Sequence, residues 1–394
     1  MTSGSPDVGG ALLTINTGSS SLKLAVYDNT PDLTLRFRAS VERIGQPGIQ
    51  LKAERADEDA IAVDAIGAAD HGAALAHALD YAHRSCAFAV EAVGHRVVHG
   101  GAAHAKPERL TSALVDDLGR LVAIDPDHMP QALQAIDAAR RRYPDVPHVA
   151  CFDTAFHRTM STVAQRYPLP RWTADLGVRR YGFHGLSCEF IVGALARIDP
   201  RALGGRVLIA HLGSGASITA VERGASVDTT MGFSPAGGLM MGTRAGDLDP
   251  TVGIYLARQR GIDAVDRLVN RESGLLGASG ISSDVRDLAA KPASSAAADA
   301  IELFCYVAAK HCGALAAVLD GVDTIVFTGG IGEHAPTIRE QICRRLGHLG
   351  VQLDAGRNAA SRDVISIANS RVVVRVIATD EELMIARHLR DVLA

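Results

Sequence analysis

Cysteine is sparse and unpatterned. The six residues Cys86, Cys151, Cys188, Cys305, Cys312 and Cys343 form no CxxC pair and no zinc-ligand spacing. Scattered thiols in a long chain without a secretory leader read as reduced and cytoplasmic. The opening MTSGSPDVGG has neither a positive n-region nor an apolar h-region and reads as a disordered tail. No apolar run approaches membrane-spanning length, which argues against a membrane partner. A net charge of −4 leaves no basic footprint for nucleic acid. The GxxxxGK[ST] loop, the three-glycine dinucleotide fingerprint, HExxH and the EF-hand loop are all missing. What remains is an ordinary globular composition, 47% hydrophobic and 21% charged, over 394 residues, which suits two or three domains. Any phosphate binder here must be of another type.

The candidate is a repeated hairpin. Residues 11–28, ALLTINTGSSSLKLAVYD, read as strand, Gly18-Ser turn and strand, with Lys23 following. Backbone N–H groups and hydroxyls in such a turn can cradle an anion. Residues 207–221, VLIAHLGSGASITAV, repeat the pattern about half a chain later, which points to a duplicated fold. A third strand-to-glycine turn, TIVFTGGIGEH at 324–334, opens onto a helix marked by Thr337 and Glu340 in capping-box spacing. Residues 234–250, SPAGGLMMGTRAGDLDP, add a Gly-rich loop with one arginine and two aspartates.

Between these landmarks, 40–85 reads as a surface-facing polar stretch with one helix over 73–82. Arg96 lies in the apolar segment 91–101, where an arginine needs a partner. A helix is expected over 111–122 and another over 131–142, the latter with Pro130 in its first turn and His128 at its entrance. The strand 149–154 ends in Asp153, which is either a catalytic acid at a strand end or a helix cap. Ser187 is expected to cap a helix running to 198. Residues 273–287 read as a loop in which Asp284 and Arg286 either straddle a ring or a ribose or form a surface link. A long helix over 296–319 buries Cys305 and Cys312 as core residues. A strand over 371–377 and a helix headed by Asp380, Glu381 and Glu382 close the chain.

Nine segments in order resemble the acetate kinase family. They are INTGSSSLK, GHRVVHGG, CFDTAFHRTM, RRYGFHG, HLGSGASITAV, SVDTTMGFSPAGGLMMGTRAGDLDP, SGLLGASGISSD, IVFTGGIGE and EELMIAR, and they cover nearly all of the chain. The resemblance implies an α/β fold of two ribonuclease-H-like domains with a nucleotide cleft between them that closes on substrate. These are 11–152 with the C-terminal helix 380–394, and the nucleotide-binding domain 153–379. It also implies a homodimer and reversible transfer of the ATP γ-phosphoryl group to acetate, giving acetyl phosphate and ADP. By resemblance, Asp153, His184 and Arg244 are catalytic, Asp153 as the acid that orients an arginine or the metal shell, and Arg96, Val98, His128, Phe183 and Pro235 bind the acyl substrate. Lys23, His211, Leu212, Gly213, Ser214, Gly215, Asp284, Val285, Arg286, Gly330, Ile331, Gly332, Glu333 and His334 would bind the nucleotide. Asn16 and Glu381 would hold Mg²⁺, with Mn²⁺ as an alternative. A carboxylate acceptor is already ionised at neutral pH, so no general base is required, and catalysis becomes positioning and charge neutralisation.

The chain departs from the family pattern at identifiable places. Ser214 and His334 each replace an asparagine, which bears on the choice of nucleotide. DPDHMP at 125–130 replaces APLHNP, putting Asp127 where a leucine helps wall the acyl methyl group. A carboxylate buried there unpaired would cost several kcal/mol. It therefore turns away, meets a polar partner, or marks an acid other than acetate, propionate being the nearest. Leu186 and Cys188 replace the usual Thr and His. Other readings of the same superfold are a chaperone-like or filament protein, a non-catalytic nucleotide binder, and a sugar kinase with Asp153 as base.

Overall fold

The computed structural model describes residues 10–58, 61–68, 70–291 and 295–394. The expected tail lies outside the described residues, except Gly10, which already belongs to the first strand. The chain forms two compact units. One reaches Ala155 and resumes over Asp380–Ala394, and the other is Phe156–Thr379. Asp153, assigned from sequence to the second domain, lies in the first unit, where its carboxylate accepts from Arg96.

The first unit is built on eight strands: β1 (Gly10–Thr17), β2 (Ser21–Asp28), β3 (Leu35–Glu42), β4 (Gln50–Arg55), β5 (Ile61–Ala65), β6 (Ala89–Val97), β7 (Glu108–Arg109) and β8 (His148–Phe152). Their order is β5-β4-β3-β2-β1-β6-β8-β7. The hairpin pairs β1 with β2 antiparallel, while β6 and β8 join β1 in parallel. The 40–85 expectation fails here, since that stretch holds the end of β3 and all of β4 and β5. Phe37, Ala39, Val41, Leu51 and Ala53 are buried. They alternate with Arg38, Ser40, Lys52 and Glu54, so a half-covered sheet reads as polar along the chain. The helix His71–Ser85 covers that face and runs longer than expected. Asp70 Oδ1 caps it by accepting from Ala73 N at 2.9 Å.

The second unit holds β9 (Arg206–Leu212), β10 (Ala216–Glu222), β11 (Ala225–Thr229), β12 (Thr324–Thr328) and β13 (Val373–Val376), in the order β11-β10-β9-β12-β13. Three antiparallel strands are followed by two parallel additions, as in β3-β2-β1-β6-β8. The duplication suggested by the glycine turns is therefore present in the topology of both sheets. Helix Ser295–Val318 buries Phe304, Cys305, Ala308, Cys312 and Leu315. Burial pushes the Cys305 and Cys312 thiols up to about 12, as expected of core residues. By length and apolar content this helix could cross a membrane, contrary to the sequence expectation. Its composition suits a core helix equally well.

The expected capping box at Thr337 does not form. Helix Pro336–Arg344 starts at Pro336 after Ala335, with no side-chain cap. The polar work falls to Arg339, which is fully buried. Its guanidinium donates to the carbonyls of Gly332 and Glu333, to Oδ1 and the carbonyl of Asn358, and to Ser361 Oγ. It thereby satisfies carbonyls at the end of helix Gly329–His334, which have no partner inside that helix. Arg339→Met should destabilise the second unit by about 3 kcal/mol or more, because buried carbonyls lose their donor. Denaturant unfolding measures this, and an unchanged midpoint would contradict the capping role.

Candidate active site

In the first unit the parallel strands β1, β6 and β8 end together, the usual location of ligands in such sheets. Arg96, near the end of β6, donates through Nε and Nη2 to Asp153 Oδ2 at 3.0 and 2.5 Å, and through Nη1 to the Thr17 carbonyl at 2.7 Å. Asp153 is therefore neither a helix cap nor a free acid. Its side chain is 1% exposed and that of Arg96 12%. Burial works against the guanidinium charge, but Asp153 and then Glu381 outweigh it and hold its pKa above the ordinary arginine range.

Beside them Asn16, the penultimate residue of β1, donates from Nδ2 to Glu381 Oε2 at 3.0 Å and to Glu382 Oε1 at 2.9 Å. Asp380 caps helix Glu381–Leu393 by accepting from Leu383 N. The acids in that first turn thus divide their work, one capping and two facing Asn16. Lys23 lies 3.8 Å from Glu382 and so belongs with this acidic group. His128 stands at the head of helix Met129–Arg142, and its Nδ1 lies 2.8 Å from Oδ1 of buried Asp125. Asp127 is half-buried. Val98 is buried in this unit.

In the second unit, helix Gly185–Ile198 is preceded by His184 in the left-handed conformation, φ 58°. A non-glycine residue there signals a position fixed by its surroundings. Gly182, at φ 78°, lies so close to His157 that a Cβ would meet its ring at 2.6 Å. His157 in turn bridges Ser226 Oγ and the Phe183 carbonyl, each at 2.9 Å. Ser187 does not cap the helix. It lies inside the first turn, buried, with its hydroxyl 2.8 Å from His211 Nδ1. His184 stacks on His211 with ring centroids 4.2 Å apart, and its Nδ1 lies 3.0 Å from Ser217 Oγ. Arg244 donates to the Pro235 carbonyl at 3.1 Å. These groups meet at the glycine turn between β9 and β10. A Cβ on Gly215 would lie 3.3 Å from His184 Nε2 and 3.6 Å from Arg244 Nη1.

One side of that turn lines a cavity of about 500 Å³, bounded by Gly213, Ser214, Asp284, Val285, Arg286, Gly330, Ile331 and His334, with Ser283 and Ala335. The size suits a nucleoside. The expected 273–287 loop contains helices Gly274–Ser279 and Val285–Ala289. Asp284 caps the second of these and pairs with exposed Arg286 at 2.6 Å, so the surface link is present even though both residues border the cavity. His211, Leu212, Gly215 and Gly332 adjoin the turns from within β9, the hairpin and the third glycine turn. Glu333 Oε1 instead accepts from Gly329 N and Thr379 N, which makes it a brace for the third turn. Lys23, grouped with the nucleotide residues from sequence, lies in the other unit.

Sequence reading missed Asp125, His157, Ser187 as a histidine partner, Ser217 and Glu382. Asp125 had a usable signal, since it too departs from the family pattern and stands three residues before His128. The others are recognisable only from contacts between distant segments.

Residues 11–387 match the sequence model of the Acetokinase family. The chain is 43% identical over 387 residues to a protein named acetate kinase from Rhodopseudomonas palustris, covering 96% of this chain and 97% of the relative. Among solved structures it is similar to Porphyromonas gingivalis acetate kinase, with a TM-score of 0.85 and 35% identity over 98% of this chain and 100% of that one. It is also similar to a propionate kinase from Francisella tularensis, with a TM-score of 0.89 and 33% identity over 97% and 99% of the two chains.

Burial lowers the His157 pKa to about 4, against the raising effect of the Phe183 carbonyl. Above pH 6.5 neither folded nor unfolded chain holds that proton. As the pH falls from 6.5 toward 4 the unfolded chain takes it up and the folded chain does not, so stability declines by about 1.4 kcal/mol per pH unit. Unfolding free energy measured across this window should fall less steeply in His157→Asn, by about one proton's worth of slope. Identical slopes would contradict the buried neutral state.

Proposed function

The chain belongs to the acetokinase family, and from that premise we propose that it transfers the γ-phosphoryl group of ATP reversibly to acetate or a closely related short-chain carboxylate. A carboxylate oxygen attacks the γ-phosphorus, the bond from phosphorus to the β,γ-bridging oxygen breaks, and ADP leaves with the electron pair. No proton changes hands. The observation that carries this reading is the convergence of His184 Nε2 and Arg244 Nη1 on the glycine turn that lines the nucleoside-sized cavity. Donors there can meet the charge of a transferring phosphoryl group.

Arg96, with its position fixed by Asp153, supplies a bidentate cation for the acyl carboxylate. Phe183 and Pro235, both buried, and Val98 would supply apolar contact for the acyl chain. Asp125, the first residue of DPDHMP, meets His128 at 2.8 Å. Which acid is used follows from the acyl contacts, and one methylene shifts preference by only about 1–3 kcal/mol.

The oxygen donors of Asn16 and Glu381 fit Mg²⁺ or Mn²⁺. No group of three or more His, Cys, Asp or Glu suited to a metal occurs among the described residues. Mg²⁺ keeps most of its waters and takes one or two protein oxygens beside substrate phosphates, so a sparse set is the appropriate one. When bound, the ion would neutralise phosphate charge, and Asn16 would orient both Glu381 and Glu382 toward it.

A homodimer is part of this reading. Helix Pro250–Arg260 buries none of its residues within the single chain, yet carries Val252, Ile254 and Tyr255 exposed. Trp172, Leu176 and Tyr306 are exposed in the same unit. Six free thiols accord with a reducing cytoplasm.

Three measurements test the proposal. Trapping acyl phosphate with hydroxylamine should give acid- and Mg²⁺-dependent product with acetate or propionate, and less with butyrate or a hydroxy acid. Arg96→Ala and Arg244→Ala should each lower turnover by roughly 100-fold or more with circular dichroism unchanged. Normal turnover in both variants would reject the assigned roles. Sedimentation should show a dimer that the double change Ile254→Asp, Tyr255→Asp converts to monomer. A wild-type monomer would reject the dimer.

A further inference from the structure

We infer that Ser187 and Ser217 are positioning residues that lock the stacked imidazoles of His211 and His184 as neutral Nε2–H tautomers, giving the glycine turn two uncharged donors beside Arg244. This rests on the phosphoryl-transfer reading for its catalytic consequence, but the hydrogen-bond assignment stands on geometry alone.

The contacts are crossed. Helix Gly185–Ile198 and the residue before it supply one histidine and one serine, His184 and Ser187, three positions apart. The sheet supplies the complementary pair, His211 on β9 and Ser217 on β10, directly opposite each other in the antiparallel register. Ser217 Oγ lies 3.0 Å from His184 Nδ1, and Ser187 Oγ lies 2.8 Å from His211 Nδ1. Both serines are 0% exposed. Among the described residues each hydroxyl has that imidazole nitrogen as its only hydrogen-bond partner. A buried hydroxyl proton without an acceptor is costly, so each serine donates to Nδ1. Nδ1 must then be the bare nitrogen, and the ring proton sits on Nε2. An imidazolium would instead present an Nδ1–H to the serine and strand the hydroxyl proton.

Both Nε2 atoms face the same turn. A Cβ on Gly215 would stand 3.3 Å from His184 Nε2, and one on Gly213 would stand 3.9 Å from His211 Nε2. Neutrality also suits the stack, because two cations with centroids 4.2 Å apart would repel each other and Arg244 as well. The turn then offers one permanent charge from Arg244 and two neutral donors whose direction is set in advance.

The test uses the full chain labelled with ¹⁵N-histidine. In the wild type, long-range proton–nitrogen spectra should show His184 and His211 with a bare Nδ1 and a protonated Nε2. Ser217→Ala should mix the His184 tautomers and leave His211 unchanged, and Ser187→Ala should do the reverse. Ser217→Ala should also lower kcat roughly 10- to 100-fold while KM for ATP and for the acid stays within about twofold. An Nδ1–H tautomer or an imidazolium at His184 in the wild type at neutral pH would overturn the inference, as would unaltered tautomers in both variants. If Ser217→Ala does not fold, the wild-type spectrum together with Ser187→Ala still decides. Absence of acyl phosphate from a wild type with the expected tautomers would instead overturn the phosphoryl-transfer reading, and with it the catalytic role of the lock, but not the hydrogen-bond assignment.

Discussion

A buried guanidinium needs acceptors for its N–H groups and, near other charges, a counter-charge; in the first unit Asp153 meets both needs of Arg96, and much follows from that pairing. Arg96 and Asp153 come from β6 and β8, neighbouring parallel strands, and a third contact ties Arg96 to the end of β1. Losing one member of such a pair strands the other, typically at about 3–5 kcal/mol. The pair therefore fixes where three strands end relative to one another. Asn16 and the first turn of the last helix assemble on that edge. A cation held this way is kept charged and aimed, which suits an anionic substrate better than a mobile lysine would.

The second unit reaches a comparable result by other means. Its key side chains are neutral or singly charged, and they are directed by hydroxyls and carbonyls. His157 ties the Phe183 carbonyl to β11, His184 is held in a left-handed conformation, and the Pro235 carbonyl orients Arg244. Arg339 performs the same service behind the third glycine turn. His157, Arg244 and Arg339 each donate to backbone carbonyls, of Phe183, Pro235, and Gly332 with Glu333. A glycine turn admits a phosphate only if its own backbone is held still, and these braces supply the rigidity.

Linear patterning is informative when one segment carries its whole signal. The hairpins around Gly18 and Gly213, the apolar runs of the parallel strands and the face of helix Ser295–Val318 were all legible for that reason. The stretch 40–85 was not, because β3 to β5 bury only alternate residues, and the polar half dominates a linear reading. Ser187 and Thr337 were misread because a serine or threonine near a helix start resembles a cap until its true partner is visible. In this fold the Ser187 partner is His211 across the β9 face, and the helix after the third turn starts on Pro336.

The sequence by itself determined the duplicated α/β plan and the family, because glycine turns and charged residues in apolar strands are local chemical facts. Only the tertiary structure decided what each of those residues does. Asp153 is the partner of Arg96, Lys23 lies beside the acids near Asn16, Glu333 braces the third glycine turn, and Asp125 meets His128. The physical reason is that the role of a polar side chain is set by the group that satisfies it. That group usually comes from a segment tens or hundreds of residues away, brought near by the burial of other, apolar, residues.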